Sequence, residues 1–126
     1  MDIRPGPGPQ RVLVAADDLI WASRLRAAVE RAGAVPVAGP GATLATASQG
    51  EPPRRAVVDL GLRGQDPVAL ITALVVAGVA VIGVGQHDDL VARKRALAAG
   101  ATRVYSYDKL FRDGPGVIRV WLDGMA

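Results

Sequence analysis

Apolar residues fall along this chain in two alternating patterns. Short aliphatic runs end at an acid, a glycine or a turn. Between them lie longer stretches with apolar positions three and four apart. Arg11 to Ala16 (Arg-Val-Leu-Val-Ala-Ala) reads as a first strand. Asp17 and Asp18 follow, and Asp18 stands where a helix N-cap belongs. From Leu19 to Ala32, the residues Trp21, Leu25, Ala28, Val29 and Ala32 share one helical face. Arg24, Arg26, Glu30 and Arg31 lie elsewhere, and Gly33 stops the helix. Ala34 to Ala38 is a second, short strand. Pro36 cannot donate to a ladder, which places that strand at a sheet edge. Gly39-Pro40-Gly41 is a turn, and Thr43 to Ser48 is a short helix with Leu44 as its one large apolar residue.

The third strand is Ala56 to Asp59, followed by a loop from Gly61 to Gln65. Asp66 caps the next helix and Pro67 opens it. Val79 to Val84 is the fourth strand. A loop, Gly85-Gln86-His87, leads to a helix that starts at Asp88 or Asp89 and stops at Gly100, the acids suiting its dipole. Thr102 to Tyr107 is the fifth strand. Asp108 to Gly116 reads as irregular, and Pro115 opens a final short helix that buries Val117, Ile118, Trp121 and Leu122. Strand and helix alternate with short connections, which predicts a parallel sheet with helices on both faces. The edge position of Pro36 agrees with a flavodoxin-like, doubly wound five-stranded α/β sheet of order 2-1-3-4-5.

The 126 residues suit one domain, read as 11–126 behind a flexible Pro/Gly-rich leader at 1–10. Half the residues are hydrophobic but only 4% are aromatic, so Val, Leu, Ile and Ala must build the core. Without cysteine there are neither disulfides nor thiolate metal sites. The start carries no secretory signal pattern, and the expected location is the cytoplasm. The formal net charge is +3, but the basic residues are scattered. Arg93-Lys94-Arg95 reads as a solvated helix face, and no nucleic-acid partner is indicated. Val68 to Gly85 contains no charged residue and approaches the length of a membrane span. Gly78 divides it into a helix and a strand buried on both faces, so no membrane role is expected.

Asp59 is the candidate that position alone selects. It ends an apolar strand, and open α/β sheets gather ligand chemistry at the carboxyl ends of their strands. Around it the sequence resembles the receiver domain of two-component response regulators, the CheY-like family, over about Arg11 to Leu122. Val12-Leu13-Val14-Ala15-Ala16-Asp17-Asp18 is similar to the first-strand acidic motif. Val57-Val58-Asp59-Leu60, with Gly64 and Asp66, is similar to the phosphoacceptor strand and its loop. Ala99-Gly100-Ala101 is similar to the small-residue turn before the last strand. The resemblance implies that Asp59 accepts a phosphoryl group from a histidine kinase. It also implies Mg²⁺ on Asp17, Asp59 and the backbone carbonyl of Gly61, with Asp18 beside that acidic pocket.

The chain departs from the family at four positions. Where the family has two adjacent acids in the first motif, Ala16 takes the first place and Asp17 the second. The family's Ser or Thr at the end of the fourth strand is Gly85. Its lysine at the end of the fifth strand falls on Tyr107, and Lys109 lies two residues beyond. Its switch aromatic aligns with Val104, with Tyr105 one position off and facing the other side of the sheet. A phosphoryl group here lacks its cationic partner and its hydroxyl contact, and a buried charge without partners is costly. The resemblance is therefore to an atypical receiver, a pseudo-receiver.

The first functional reading is a signalling interaction module with weak or absent phosphorylation. Its partner is a histidine kinase or a downstream signalling protein. Docking is expected on the face of the fourth helix, fifth strand and final helix, and a homodimer through the last helix is a further option. The second reading is a conventional phosphoacceptor receiver. The third is a flavodoxin-like binder of a nucleotide or small molecule, disfavoured because Ala15-Ala16-Asp17-Asp18 is acidic where a phosphate loop would be Gly-rich. No nucleophile–base pair is readable from spacing, so no catalytic residue is assigned and an enzyme is not expected beyond phosphorylation chemistry at Asp59 itself. His87 reads as an exposed loop residue, Trp121 as core, and Tyr105 and Tyr107 as edge-strand packing.

Overall fold

The computed structural model describes residues 9–39 and 52–124. The short helix expected at Thr43 to Ser48, and the leader up to residue 8, lie outside these residues. The elements are β1 (Arg11–Ala15), α1 (Leu19–Arg31), β2 (Val35–Gly39), β3 (Arg55–Asp59), α2 (Pro67–Val76), β4 (Ala80–Gly85), α3 (Leu90–Ala98), β5 (Arg103–Ser106) and α4 (Tyr107–Gly124). All strand pairs are parallel, in the order β2-β1-β3-β4-β5. Five parallel strands in this order are the expected flavodoxin-like sheet. Pro36 sits on the edge strand, opposite Val12.

Successive residues of a strand face opposite sides of the sheet, and this alternation divides the core in two. Val12, Val14, Val57, Ile82 and Val84 face one side, where Leu25 and Val29 of α1 pack with Ile118 and Trp121 of α4. Leu13, Ala15, Ala56, Val58 and Val81 face the other, against Ile71 and Leu74 of α2 and Ala96 of α3. The charge-free run from Val68 resolves as expected. Helix α2 ends at Val76, Gly78 turns the chain at a φ of +86°, and β4 begins at Ala80. No helix among the described residues is long and apolar enough to cross a membrane.

Three helix starts are capped by acids, as the pattern predicted for two and allowed for the third. Asp18 accepts from the Trp21 N–H at 2.9 Å, Asp66 from the Val68 N–H at 3.0 Å, and Asp89 from the Ala92 N–H at 3.0 Å. Asp18→Ala is expected to lower stability by about 0.5–1 kcal/mol in urea unfolding, because one helix-start donor loses its acceptor.

The carboxy-terminal third corrects the sequence reading. The stretch from Asp108 to Gly116 is helical, not irregular. The fifth strand stops at Ser106, whose Oγ accepts from the Lys109 N–H at 3.0 Å and caps α4. Only Asp113 leaves helical geometry, at φ −149° and ψ 49°, and Pro115 opens the second half of α4 beyond that kink. At the opposite end of the sheet, Arg55 ties three segments together. Its guanidinium donates to Gln10 Oε1 at 2.8 Å and to the Trp121 carbonyl at 3.3 Å. It also lies 5.3 Å from the Trp121 ring centroid. A cation suits the carbonyl end of a helix. Trp121 is core, 5% exposed.

Candidate functional site

The carboxyl ends of β1, β3 and β4 open onto a cleft of about 550 Å³. Asp17, Asp18, Trp21, Asp59, Arg63 and Tyr107 line it, together with Gly61 and Gln86. The structure thus gathers the acids chosen from sequence into one place. Asp59 is only 2% exposed and is the one buried charged side chain among the described residues. Its strand delivers it: β3 is central, flanked by β1 and β4, so its last residue has neighbours on both sides.

Two groups hold the Asp59 carboxylate. Its Oδ1 accepts from the Gly61 N–H at 2.8 Å and from the Tyr107 hydroxyl. Burial pushes the Asp59 pKa up, the Tyr107 hydroxyl and the Gly61 N–H pull against it, and the charges of Asp17 and Asp18 add to the rise. Burial and the bond to Asp59 push the Tyr107 pKa up as well, so its hydroxyl remains a proton donor. The Tyr107 ring lies 4.6 Å from that of Trp21, tilted by 36°. Tyr107 is therefore not edge-strand packing, as its position in the sequence implied. It is the first residue of α4, and the early start of that helix turns it into the cleft. Lys109, two residues further along the same helix, is not among the residues lining the cleft.

Asp17 is held differently. Its Oδ2 accepts from the Gly64 and Arg63 backbone N–H groups, each at 2.8 Å. These bonds, Gly64 first, hold its pKa below the ordinary carboxylate value. Asp18 is engaged as the cap of α1. Ala16, at the first position of the acidic motif, is buried.

Gly85 carries no hydroxyl, and the space beside it is occupied. A Cβ added there would lie 3.2 Å from Leu60 Cδ1 and 3.3 Å from Leu60 Cβ. The residue after Asp59 thus covers the position from which a Ser or Thr side chain would reach the cleft. Val104 and Tyr105 face opposite sides of the sheet, as expected: Val104 packs with the α2–α3 core, and Tyr105 against the α1–α4 core. His87 is exposed at the rim of a small adjoining cavity, beside Gln86 and Asp89.

The donor set bears on Mg²⁺. Among the described residues no three of His, Cys, Asp and Glu come together as ligands. Two carboxylates, Asp17 and Asp59, face one cleft, and Mg²⁺ accepts one or two carboxylates while keeping waters. The residues fit such an ion, with one oxygen of each carboxylate already engaged by protein donors. Three residues in or beside the cleft escaped the sequence reading. Arg63 is the cation among its lining residues, Trp21 backs the Tyr107 ring, and Leu60 fills the gap at Gly85. The Gly61–Gly64 loop hinted at Arg63; the other two depend on contacts between distant segments.

The chain matches no protein-family model, and no curated protein matches it by sequence. Its fold does match solved structures. The receiver domain of the TMAO respiratory-system response regulator TorR aligns with a TM-score of 0.78 at 20% identity, over 94% of this chain and 100% of that one. A CheY-like receiver domain protein from Methanospirillum hungatei aligns with a TM-score of 0.74 at 21% identity, over 93% and 96%. A response regulator from Burkholderia pseudomallei, solved with a phosphorylated aspartic acid and a calcium ion, aligns with a TM-score of 0.65 at 18% identity, over 93% and 73%. With its strand order and helix placement, this chain has the fold of the response-regulator receiver domains.

Proposed function

We propose that this chain is a receiver-type interaction module of two-component signalling, cytoplasmic, with Asp59 a weak phosphoacceptor or none. The observation that carries this reading is the Tyr107 hydroxyl on Asp59 Oδ1. A neutral donor occupies the place where the resemblance puts a lysine. It serves a carboxylate but cannot balance a phosphoryl dianion. Both donors sit on the one oxygen Oδ1, so the deficit lies in the missing cation and not in the nucleophile. Leu60 and Gly85 add a second deficit, since the hydroxyl that would contact a phosphoryl oxygen is missing. Asp17 and Asp59, with the Gly61 carbonyl, would hold Mg²⁺; when bound, the ion supplies positive charge against the carboxylates. The partner is a kinase or a downstream protein of such a pathway.

The test is an amide NMR titration with millimolar Mg²⁺, then beryllofluoride, on the parent and on Asp59→Asn. The expected result is at most local change near Asp17 and Gly64, with no beryllofluoride response. Suppose instead that beryllofluoride shifts resonances around Asp59, that the shifts spread to α3 and β5, and that Asp59→Asn abolishes them. The conventional phosphoacceptor reading, already true of the Burkholderia pseudomallei structure, then takes first place.

A further inference from the structure

We propose that the small cavity between α3 and β5 binds a free α-amino acid with a short side chain, of the size of glycine or alanine. The cavity adjoins the Asp59 cleft and shares Gly61, Gln86 and Tyr107 with it, but neither Asp59 nor Asp17 lines it. It holds about 80 Å³. Liquid water takes about 30 Å³ per molecule, so this is room for roughly two or three waters or one compact organic molecule. A nucleotide needs a pocket several times larger.

Two features of the lining point to the occupant. The first is a pair of opposite charges that do not meet. Asp89, the cap of α3, and Arg93 in the first turn of that helix both line the cavity, at a spacing where acid and base commonly pair. Here the Arg93 guanidinium donates to the Val104 carbonyl at 3.3 Å, and Asp89 Oδ1 accepts from the Ala92 N–H at 3.0 Å. Among the described residues neither makes an ion pair. The second carboxylate oxygen of Asp89 and the remaining guanidinium N–H groups of Arg93 are left to water or a ligand. A molecule that carries both charges satisfies both residues: its carboxylate takes the paired N–H groups of the guanidinium, and its ammonium takes the Asp89 carboxylate. A simple anion would face Asp89 with like charge, and a simple cation would do the same to Arg93. The end of a protein chain brings only one of the two charges, so it fits less well.

The second feature is the split between apolar and polar lining. Leu60, Ala92 and Val104 are buried or half-buried and form the floor, whereas Gln86, His87, Asp89 and Arg93 are exposed and form the rim. Ser106 also lines the cavity; its Oγ accepts from the Lys109 N–H, which leaves the hydroxyl proton to donate. An apolar floor takes a methyl group, and a few convergent polar groups fix the orientation of what lies on it.

This site is independent of the reading of Asp59 as a weak phosphoacceptor. The test is an amide NMR titration of the full chain with L-alanine, without Mg²⁺ and at constant ionic strength. The controls are propionate, which lacks the ammonium, ethylammonium, which lacks the carboxylate, and L-phenylalanine, which is too large. Saturable shifts are expected at Ala92, Arg93 and Ser106, with the millimolar half-saturation that so few ligand atoms allow. Propionate and ethylammonium are each expected to bind about tenfold more weakly or worse, and phenylalanine not to compete. Arg93→Gln and Asp89→Asn are each expected to weaken alanine binding by about tenfold; the Asn keeps an oxygen that caps α3. Ala92→Leu fills the cavity and is expected to abolish binding, and Lys94→Gln, outside the lining, to leave it unchanged. A dispersed amide spectrum checks that each variant is folded. Equal binding of propionate or ethylammonium, competition by phenylalanine, shifts centred on Asp17 and Arg63, binding indifferent to Arg93→Gln and Asp89→Asn, or no saturable response to alanine would each overturn the proposal. None of these outcomes bears on the beryllofluoride experiment, which reads the Asp59 cleft.

Discussion

Tyr107→Phe is expected to unfold about 2 kcal/mol more easily than the parent at pH 7, because a buried carboxylate loses a hydrogen bond made to its charged form. The ring remains, so its stacking on Trp21 is retained and the loss isolates the hydroxyl. Asp59 would keep the Gly61 N–H alone on Oδ1. The deficit has a pH signature. The hydroxyl stabilises the ionised carboxylate more than the neutral acid, and it opposes the upward shift that burial imposes on the Asp59 pKa. In the variant that opposition is gone and the Asp59 pKa moves further up. The penalty is therefore full above the Asp59 pKa and shrinks as pH falls through it. Urea unfolding of both proteins across the acid range measures this. A deficit that does not vary with pH would show that the hydroxyl acts on something other than the Asp59 charge.

Asp59→Asn carries the opposite sign. It is expected to be more stable than the parent at pH 7 by about 1–2 kcal/mol, within the range of single stabilising substitutions, because the amide carries no charge to desolvate. The amide oxygen still accepts from Gly61 and Tyr107, while the buried charge is gone. For the parent, the sign follows from linkage. A carboxyl whose folded pKa is raised binds more protons folded than unfolded between 3.8 and that raised value. Parent stability from this group is thus fully present below 3.8 and falls as pH rises through the folded pKa. The gap between Asp59→Asn and the parent should open over that window and stay constant above it. Asp17 works in the other direction. Its pKa is lowered by the Gly64 and Arg63 N–H groups, so its contribution is present above 3.8 and lost as pH falls through its depressed value. Measuring both variants against the doubly substituted chain separates the Asp59 charge from the Tyr107 hydroxyl, since the two groups share one bond.

An acid buried at the end of a central strand, with its pKa pushed up by that burial, is what a functional position looks like. In this chain, however, the hydroxyl of Tyr107 already satisfies that acid. The two expectations above test one idea from both sides: Asp59 is costly to hold ionised, and Tyr107 is what makes holding it tolerable. A lysine in place of Tyr107 would offer a full charge, and the beryllofluoride experiment could then be repeated on Tyr107→Lys.

Much of the architecture was legible from local chemistry. Continuous apolar runs at Val57 and Val81 could be buried only as inner strands. Asp18 and Asp66 stood at the starts of apolar-periodic stretches and do cap helices. Pro36 could sit only where no ladder bond was needed. The position of Asp59 at a strand end followed from the same reasoning, whereas its company with Asp17 came only from the resemblance to the receiver family. Apart from that company, each of these follows from interactions within a few residues, or from the two-residue period of a strand, and the sequence displays both.

The end of β5 was misread for an equally physical reason. A serine cap followed by an acid at Asp108 signals a helix start, but the stretch from Asp108 to Gly116 reads as irregular, with a helix opening only at Pro115. In the fold, the kink at Asp113 absorbs Gly114 and Pro115, and packing of α4 against α1 holds both halves. That shift of the helix start turned Tyr107 from a strand residue into the donor to Asp59. The pairing of Tyr107 with Asp59, the stacking of Trp21 on Tyr107, the cover of Leu60 over Gly85 and the cavity between α3 and β5 all join segments far apart in the chain. By itself, the sequence determined the order of elements, the apolar faces and the acid at the sheet's carboxyl end, because local hydrogen bonding and periodic burial dictate them. Only the tertiary structure decided which side chain faces that acid, because crossing helices and the close approach of Gly114 to Ala28 set it.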